Sequence, residues 1–130
     1  MTTLLVVDGA NVVGSVPDGW WRDRRAAAER LRDRLAEYAR EHPDEDVVLV
    51  LEGRARGVEP VPGVRVENAS GEGDDHIVAV AARAEGACVV VTADRELRRR
   101  VAELGASTVG PRAVRDVGRE RGDRPTQDGQ

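Results

Sequence analysis

Three short, unbroken apolar runs limit what this chain can fold into. Residues 3–7 (Thr-Leu-Leu-Val-Val), 46–52 (Asp-Val-Val-Leu-Val-Leu-Glu) and 88–92 (Cys-Val-Val-Val-Thr) lack the polar and apolar alternation of a half-exposed strand, so each is expected to be covered on both faces. Strands of that kind belong to parallel sheets whose connections cross over the faces as helices. The intervening segments supply them. A helix is expected from about Arg22 to Glu41, where Ala28, Leu31, Leu35 and Tyr38 fall on one stripe. A second runs from Asp74 or Asp75 to about Glu85, and a third from Asp94 to Leu104. Residues 63–67 alternate in a way that suits a sheet edge, and residues 106–110 offer a fifth strand. The glycine-rich and proline-rich stretches 9–19 and 53–62 read as loops.

The expectation is a single α/β domain over residues 1–116, with about five parallel strands in the order 3-2-1-4-5 and helices on both faces. Residues 117–130 combine glycine, proline and polar groups with nothing apolar after Val117, and read as a disordered tail. In an open parallel sheet, ligands bind beyond the carboxyl ends of the strands, where the strand order reverses. That point would lie between the first and fourth strands.

Acids stand at that edge. Asp8 ends the first run, Glu52 the second, Asp94 follows the fourth strand, and Asp74-Asp75 opens the helix between the third and fourth strands. Singly, each has an ordinary structural role. Asp8-Gly9 suits a turn, Asp94 suits a helix N-cap, Asp74 and Asp75 suit a first helical turn, and Glu52 suits an exposed strand end. Together they are harder to explain that way, because caps and turns give no reason to set acids after three separate buried strands. Unit charges about 4 Å apart repel by roughly 4 kcal/mol at an effective dielectric near 20, so such a cluster calls for cations. One or two Mg²⁺ or Mn²⁺ ions at Asp8, Asp75 and Asp94, with Glu52 and Asp74 as further candidates, would suit phosphoryl chemistry. Asn11 and Thr92 are neutral groups able to orient the carboxylates or a phosphate, and Arg95 is placed to meet a phosphate.

Charge and aromatic placement favour a polyanionic substrate. The net charge of −4 disfavours a protein that coats nucleic acid non-specifically, yet residues 22–34 carry six arginines against three acids and residues 95–115 six against two. All 20 basic residues are arginine, which recognises phosphate through a planar fork that lysine lacks. Both tryptophans, Trp20 and Trp21, sit directly before Arg22, the combination of stacking surface and cation used to grip single-stranded nucleic acid. One of them would serve equally well as a core anchor. His76 reads as helix surface with a lesser claim as an outer ligand, His42 as a helix end, and Cys88 as a small buried hydrophobe. No run approaches the roughly 18 apolar residues of a membrane span, and no basic leader precedes the first strand, so a cytoplasmic protein is expected.

Val6-Val7-Asp8-Gly9-Ala10-Asn11, Gly71-Glu72-Gly73-Asp74-Asp75 and Val91-Thr92-Ala93-Asp94, in that order, resemble the PIN-like NYN nucleases, specifically the YacP-like branch. The resemblance covers residues 4–110. It implies a small parallel α/β domain, metal-dependent ribonuclease activity, single-stranded RNA as substrate, and Asp8, Asp75 and Asp94 as metal-binding acids with Asn11 and Thr92 beside them. The spacing to Gly86 favours Asp75 over Asp74 in that set. Glu52 stands where the branch would have aspartate. Ribosome association enters only through the resemblance, with no residue here to support it, and the oligomeric state is not readable. A haloacid dehalogenase phosphatase would need a second acid where Ala10 stands, a phosphate receiver would need a lysine, and a dinucleotide site would need G-x-G-x-x-G, which Asp8 to Gly14 does not supply in full. The alternative of another class is a non-catalytic RNA-binding module that keeps the fold.

Overall fold

The computed structural model describes residues 2–115, so the tail expected over 117–130 lies outside the described residues. In chain order the elements are β1 (Thr3–Asp8), α1 (Gly9–Gly14), α2 (Arg24–Glu41), β2 (Glu45–Leu51), β3 (Val64–Asn68), α3 (Gly73–Arg83), β4 (Cys88–Val91), α4 (Arg95–Ala102), β5 (Ser107–Val109) and α5 (Arg112–Arg115). The strands form one sheet in the order β3-β2-β1-β4-β5, with every neighbouring pair parallel. This is the architecture and order expected from the sequence.

The unbroken apolar runs are explained by two cores, one on each face. Leu5, Val7, Val47, Leu49, Leu51 and Val91 point to a layer completed by Val12, Leu31, Leu35 and Val114. Their neighbours Val6, Val48, Val50 and Val90 point the other way, against Ile77, Val80, Leu97 and Val101. At eleven and eight residues, α3 and α4 are shorter than the roughly 12–15 residues an isolated helix needs in water, so burial against the sheet holds them. The edges are blunted. β5 is three residues long, and in β3 the buried Val64 is followed by an exposed Arg65.

Two regions depart from expectation. Residues 9–14 are helical rather than looped, because the Asp8 side chain accepts the Asn11 N–H as an N-cap and Val12 is drawn into the core. Trp20–Arg22 forms a separate turn of 3₁₀ helix, and α2 starts only at Arg24, where Asp23 caps it by accepting the Ala26 N–H at 3.0 Å. The short α5 had no periodic signal; its fully buried Val114 packs on the α2 side of the sheet.

Gly9 sets how closely α1 approaches β2. A Cβ there would lie 2.6 Å from the Val50 carbonyl oxygen and 2.7 Å from a Leu51 methyl carbon, and the carbonyl belongs to sheet backbone that cannot turn aside. Gly9→Ala is therefore expected to lower the unfolding free energy by roughly 1–3 kcal/mol, the cost of overpacking. Urea denaturation would measure this, and an unchanged midpoint and slope would show that the contact yields without cost.

Candidate active site

β1 and β4 lie side by side, but the chain leaves them in opposite directions. After β1 it turns to the α2 face, and after β4 to the α3 and α4 face. A crevice must open between the two exits. Asp8 is at its floor, the last residue of β1 and only 9% exposed.

Asp8 is tied across the crevice. The fully buried Thr92 donates its hydroxyl to Asp8 Oδ2 at 2.9 Å, and the Thr92 hydroxyl oxygen in turn accepts the Asp94 N–H at 3.1 Å. Asn11 Oδ1 accepts the Ala93 N–H at 2.8 Å. The corner after β1 and the corner after β4 are thereby one hydrogen-bonded unit. Asp94 caps α4 through Oδ1, which accepts the N–H groups of Glu96 and Leu97 at 2.9 and 3.1 Å. Arg98, one turn on, donates to the Thr92 carbonyl at 2.9 Å.

The opposite wall comes from β2 and α3. Glu52 follows β2 and accepts the backbone N–H of Gly73 in a short hydrogen bond. Glycine leaves room for this approach: a Cβ at position 73 would sit 2.5 Å from the Glu52 carboxylate, which would have to shift. Asp74 comes next along the chain. The resulting cleft, about 420 Å³, is lined by Asp8, Ala10, Asn11, Glu52, Glu72, Asp74 and Asp94.

Five carboxylates in one cleft make a strongly negative site. Among the described residues, none of Asp8, Glu52, Glu72 and Asp94 has an ion-pair partner. Burial pushes the Asp8 carboxyl above the usual aspartate range; the Thr92 hydroxyl and Asn11 amide oppose that shift, and Glu52 and Asp94 add to it. The donors are all hard oxygens, the set that suits Mg²⁺ or Mn²⁺ rather than softer metals.

The expected site residues do not all meet. Asp8, Asn11, Glu52, Asp74 and Asp94 line the cleft, and Thr92 lies beneath it. Asp75, favoured over Asp74 by spacing, does not line it: its exposed carboxylate turns to Arg100 at 3.1 Å. The helix start explains the difference, because successive residues on a helix point about 100° apart and the cleft side falls to Asp74. Asp75 stays close enough for Glu72, Asp74 and Asp75 to bring one oxygen each within 4.8 Å of one another. Arg95 is exposed at the start of α4. Trp21 is 55% exposed with Arg22 over its ring at 5.7 Å, whereas Trp20 is half-buried. His76 pairs with Glu67 at 2.7 Å, away from the cleft, and Cys88 is buried.

Three residues were missed. Glu72 lines the cleft, Arg100 holds both Asp74 and Asp75, and Arg24 lies over the Trp20 ring at 5.3 Å. Glu72 and Arg100 had no signal beyond proximity and charge. Arg24 stands four residues after Trp20, a spacing that a helical reading of 20–24 would have paired.

A parallel five-stranded α/β domain with acids gathered at its switch point is the class that fold and site define. No family model and no curated protein matches the chain. Among solved structures it is similar to Rae1 (YacP) from Bacillus subtilis, with a TM-score of 0.74 and 22% identity over 95% of this chain and 80% of that one. A single-substitution mutant of the same Bacillus subtilis protein gives 0.72 and 21%, over 98% and 83%. The chain therefore has the YacP fold that the motifs had suggested. Among the described residues no helix is long and apolar enough to cross a membrane.

Because burial raises the Asp8 carboxyl, the folded protein holds that proton more tightly than the unfolded chain. Ionising Asp8 then opposes folding. The penalty is absent below about pH 4, the ordinary aspartate range, and is complete once the pH has passed the raised native value. Metal-free Asp8→Asn is expected to be at least as heat-stable as wild type at pH 7, with the gap closing as the pH falls through the raised native value and gone below about 4. Thermal unfolding in EDTA across that range measures it. A mutant clearly less stable than wild type at pH 7 would mean that the hydrogen bonds at Asp8 outweigh its burial.

Proposed function

We propose that the protein is a metal-dependent endoribonuclease that hydrolyses phosphodiester bonds of single-stranded RNA. The observation that carries this reading is the cleft itself: a buried Asp8 among four other carboxylates, four of the five without an ion-pair partner among the described residues. Such a charge is costly to maintain unless cations bind there. The YacP fold and the three motifs that carry the family resemblance supply the substrate class.

Asp8, Asp74 and Asp94 are the proposed ligands, with Glu52 and Glu72 close enough to assist and Asp75 in reserve behind Asp74. One or two Mg²⁺ or Mn²⁺ ions bound there would set positive charge against the scissile phosphate and make a water acidic enough to attack it. The protein's own groups orient the reactants. Thr92 fixes the Asp8 carboxylate and, through the Asp94 N–H, the adjoining corner. Asn11 spends its carbonyl oxygen on Ala93, which leaves its two amide N–H donors for a phosphate oxygen. Arg95 offers an exposed cation beside Asp94 for the next phosphate along. This arrangement assigns no role to a serine, cysteine or histidine nucleophile. A cytoplasmic setting fits this substrate.

Wild type is expected to cleave single-stranded RNA in Mg²⁺ or Mn²⁺ and to stop in EDTA. Asp8→Asn should abolish cleavage and also the thermal stabilisation by added metal, a second reading independent of turnover. Thr92→Val, which keeps shape but loses the hydroxyl, should cost about 10- to 100-fold in activity or metal affinity. Asp74→Asn should cost more than Asp75→Asn. Full activity of Asp8→Asn, or of wild type in EDTA, would sink the mechanism. An inert wild type that still binds RNA would favour the non-catalytic module.

A further inference from the structure

A second cavity adjoins the acidic cleft and plays no part in the chemistry described so far. It holds about 160 Å³. Val13 and Leu51 give it apolar walls, Trp20 and Arg24 also line it, and Ala10 and Glu52 belong to both cavity and cleft. The Arg24 guanidinium lies over the Trp20 ring at 5.3 Å, so a flat π surface and a planar cation stand together in its lining. Trp21, set edge-on to Trp20 with ring centres 5.9 Å apart, does not line it.

The contents of such a space can be argued from size, polarity and position. An apolar cavity of roughly 150 Å³ accepts a benzene ring, so this one has room for a single six-membered ring, and a fused double ring would protrude. A free apolar molecule would gain nothing from Arg24. A group attached to a phosphate would, because the guanidinium offers charge to the backbone and a face to the ring. The wall shared with the cleft means that a ring seated here carries its own or the adjacent phosphate toward the acids.

We propose that this cavity is a base-binding subsite, which takes one unpaired pyrimidine-sized nucleobase of the RNA strand next to the phosphate in the acidic cleft. The proposal rests on the reading of the cleft as a phosphodiester site and adds a register to it. A base must leave any duplex to enter, so the subsite makes cleavage depend on single-stranded substrate. It also divides the two tryptophans: Trp20 reads a base beside the bond to be cut, and Trp21 remains an outer surface.

The test scans a single abasic residue, position by position, along an oligopyrimidine RNA cleaved in Mg²⁺ or Mn²⁺. Wild type should lose about 5- to 150-fold in kcat/KM at one fixed distance from the cut, the loss of one stacked base, and little elsewhere. That position-specific loss should disappear in Trp20→Ala and in Trp20→Leu, the latter keeping an apolar wall without a π face. A purine at the same register should be cut more slowly than a pyrimidine. An independent reading uses Trp21→Phe, whose only tryptophan is Trp20, with fluorescence quenched by the intact oligonucleotide and not by the one abasic at that register. A wild type that cleaves with a flat abasic scan would overturn the subsite and leave the nuclease reading standing. Quenching by intact RNA but not its abasic counterpart, without any cleavage, would keep the subsite as a binding feature and overturn the nuclease reading. Neither cleavage nor quenching would overturn both.

Discussion

The hydrogen bond from Thr92 to Asp8 is the interaction on which the site depends. It crosses the one place in the sheet where the chain leaves two neighbouring strands toward opposite faces, and it lies buried where water cannot replace it. Through the same hydroxyl it fixes the Asp94 N–H, and through Asp94 the start of α4. One oxygen atom of a threonine thus sets the relation between two acids that are far apart in sequence. The Asn11 bond to Ala93 runs in parallel and keeps the two corners from shearing.

Around that unit the molecule places its cations selectively. Arg100 reaches Asp74 and Asp75 on the rim, Arg98 is spent on a backbone carbonyl, and Arg99 is occupied by Glu96 and Glu103 on the outer side of α4. α4 therefore neutralises the edge of the acidic cleft through Arg100 and leaves its floor charged. A floor of that kind stays poised for a small, highly charged ion, because water can enter from the open side while Asp8 itself is shielded.

Much of the fold was legible because burial on both faces leaves a plain trace, as in Val47 to Leu51, where no polar residue interrupts the run. The strand order was not fixed by the sequence, although 3-2-1-4-5 was the arrangement that would set Asp8 and Asp94 across the switch point; Asp8, Asn11, Glu52, Thr92 and Asp94 stood out by their places at strand ends and the corners after them. What escaped was decided by angle and local capping. Asp74 and Asp75 are chemically equivalent as a string, and the first turn of α3 separates them only in three dimensions. Residues 9–14 carry two glycines and two valines, poor helix formers, yet the Asp8 cap and the burial of Val12 make them helical. α5 is a single turn defined by Val114, too short for any periodicity to register.

The contact between Glu52 and the Gly73 backbone makes the glutamate a lever. One carboxylate oxygen grips the first amide of a helix, and the rest of the group faces the cleft on one side and the Trp20 cavity on the other. An aspartate in this position would be one methylene shorter and less able to span that distance. The longer arm reaches from the end of β2 to the α3 N-terminus, one residue before Asp74. A single side chain thus borders both spaces while holding the start of α3, and the missing Cβ of Gly73 leaves room for its carboxylate.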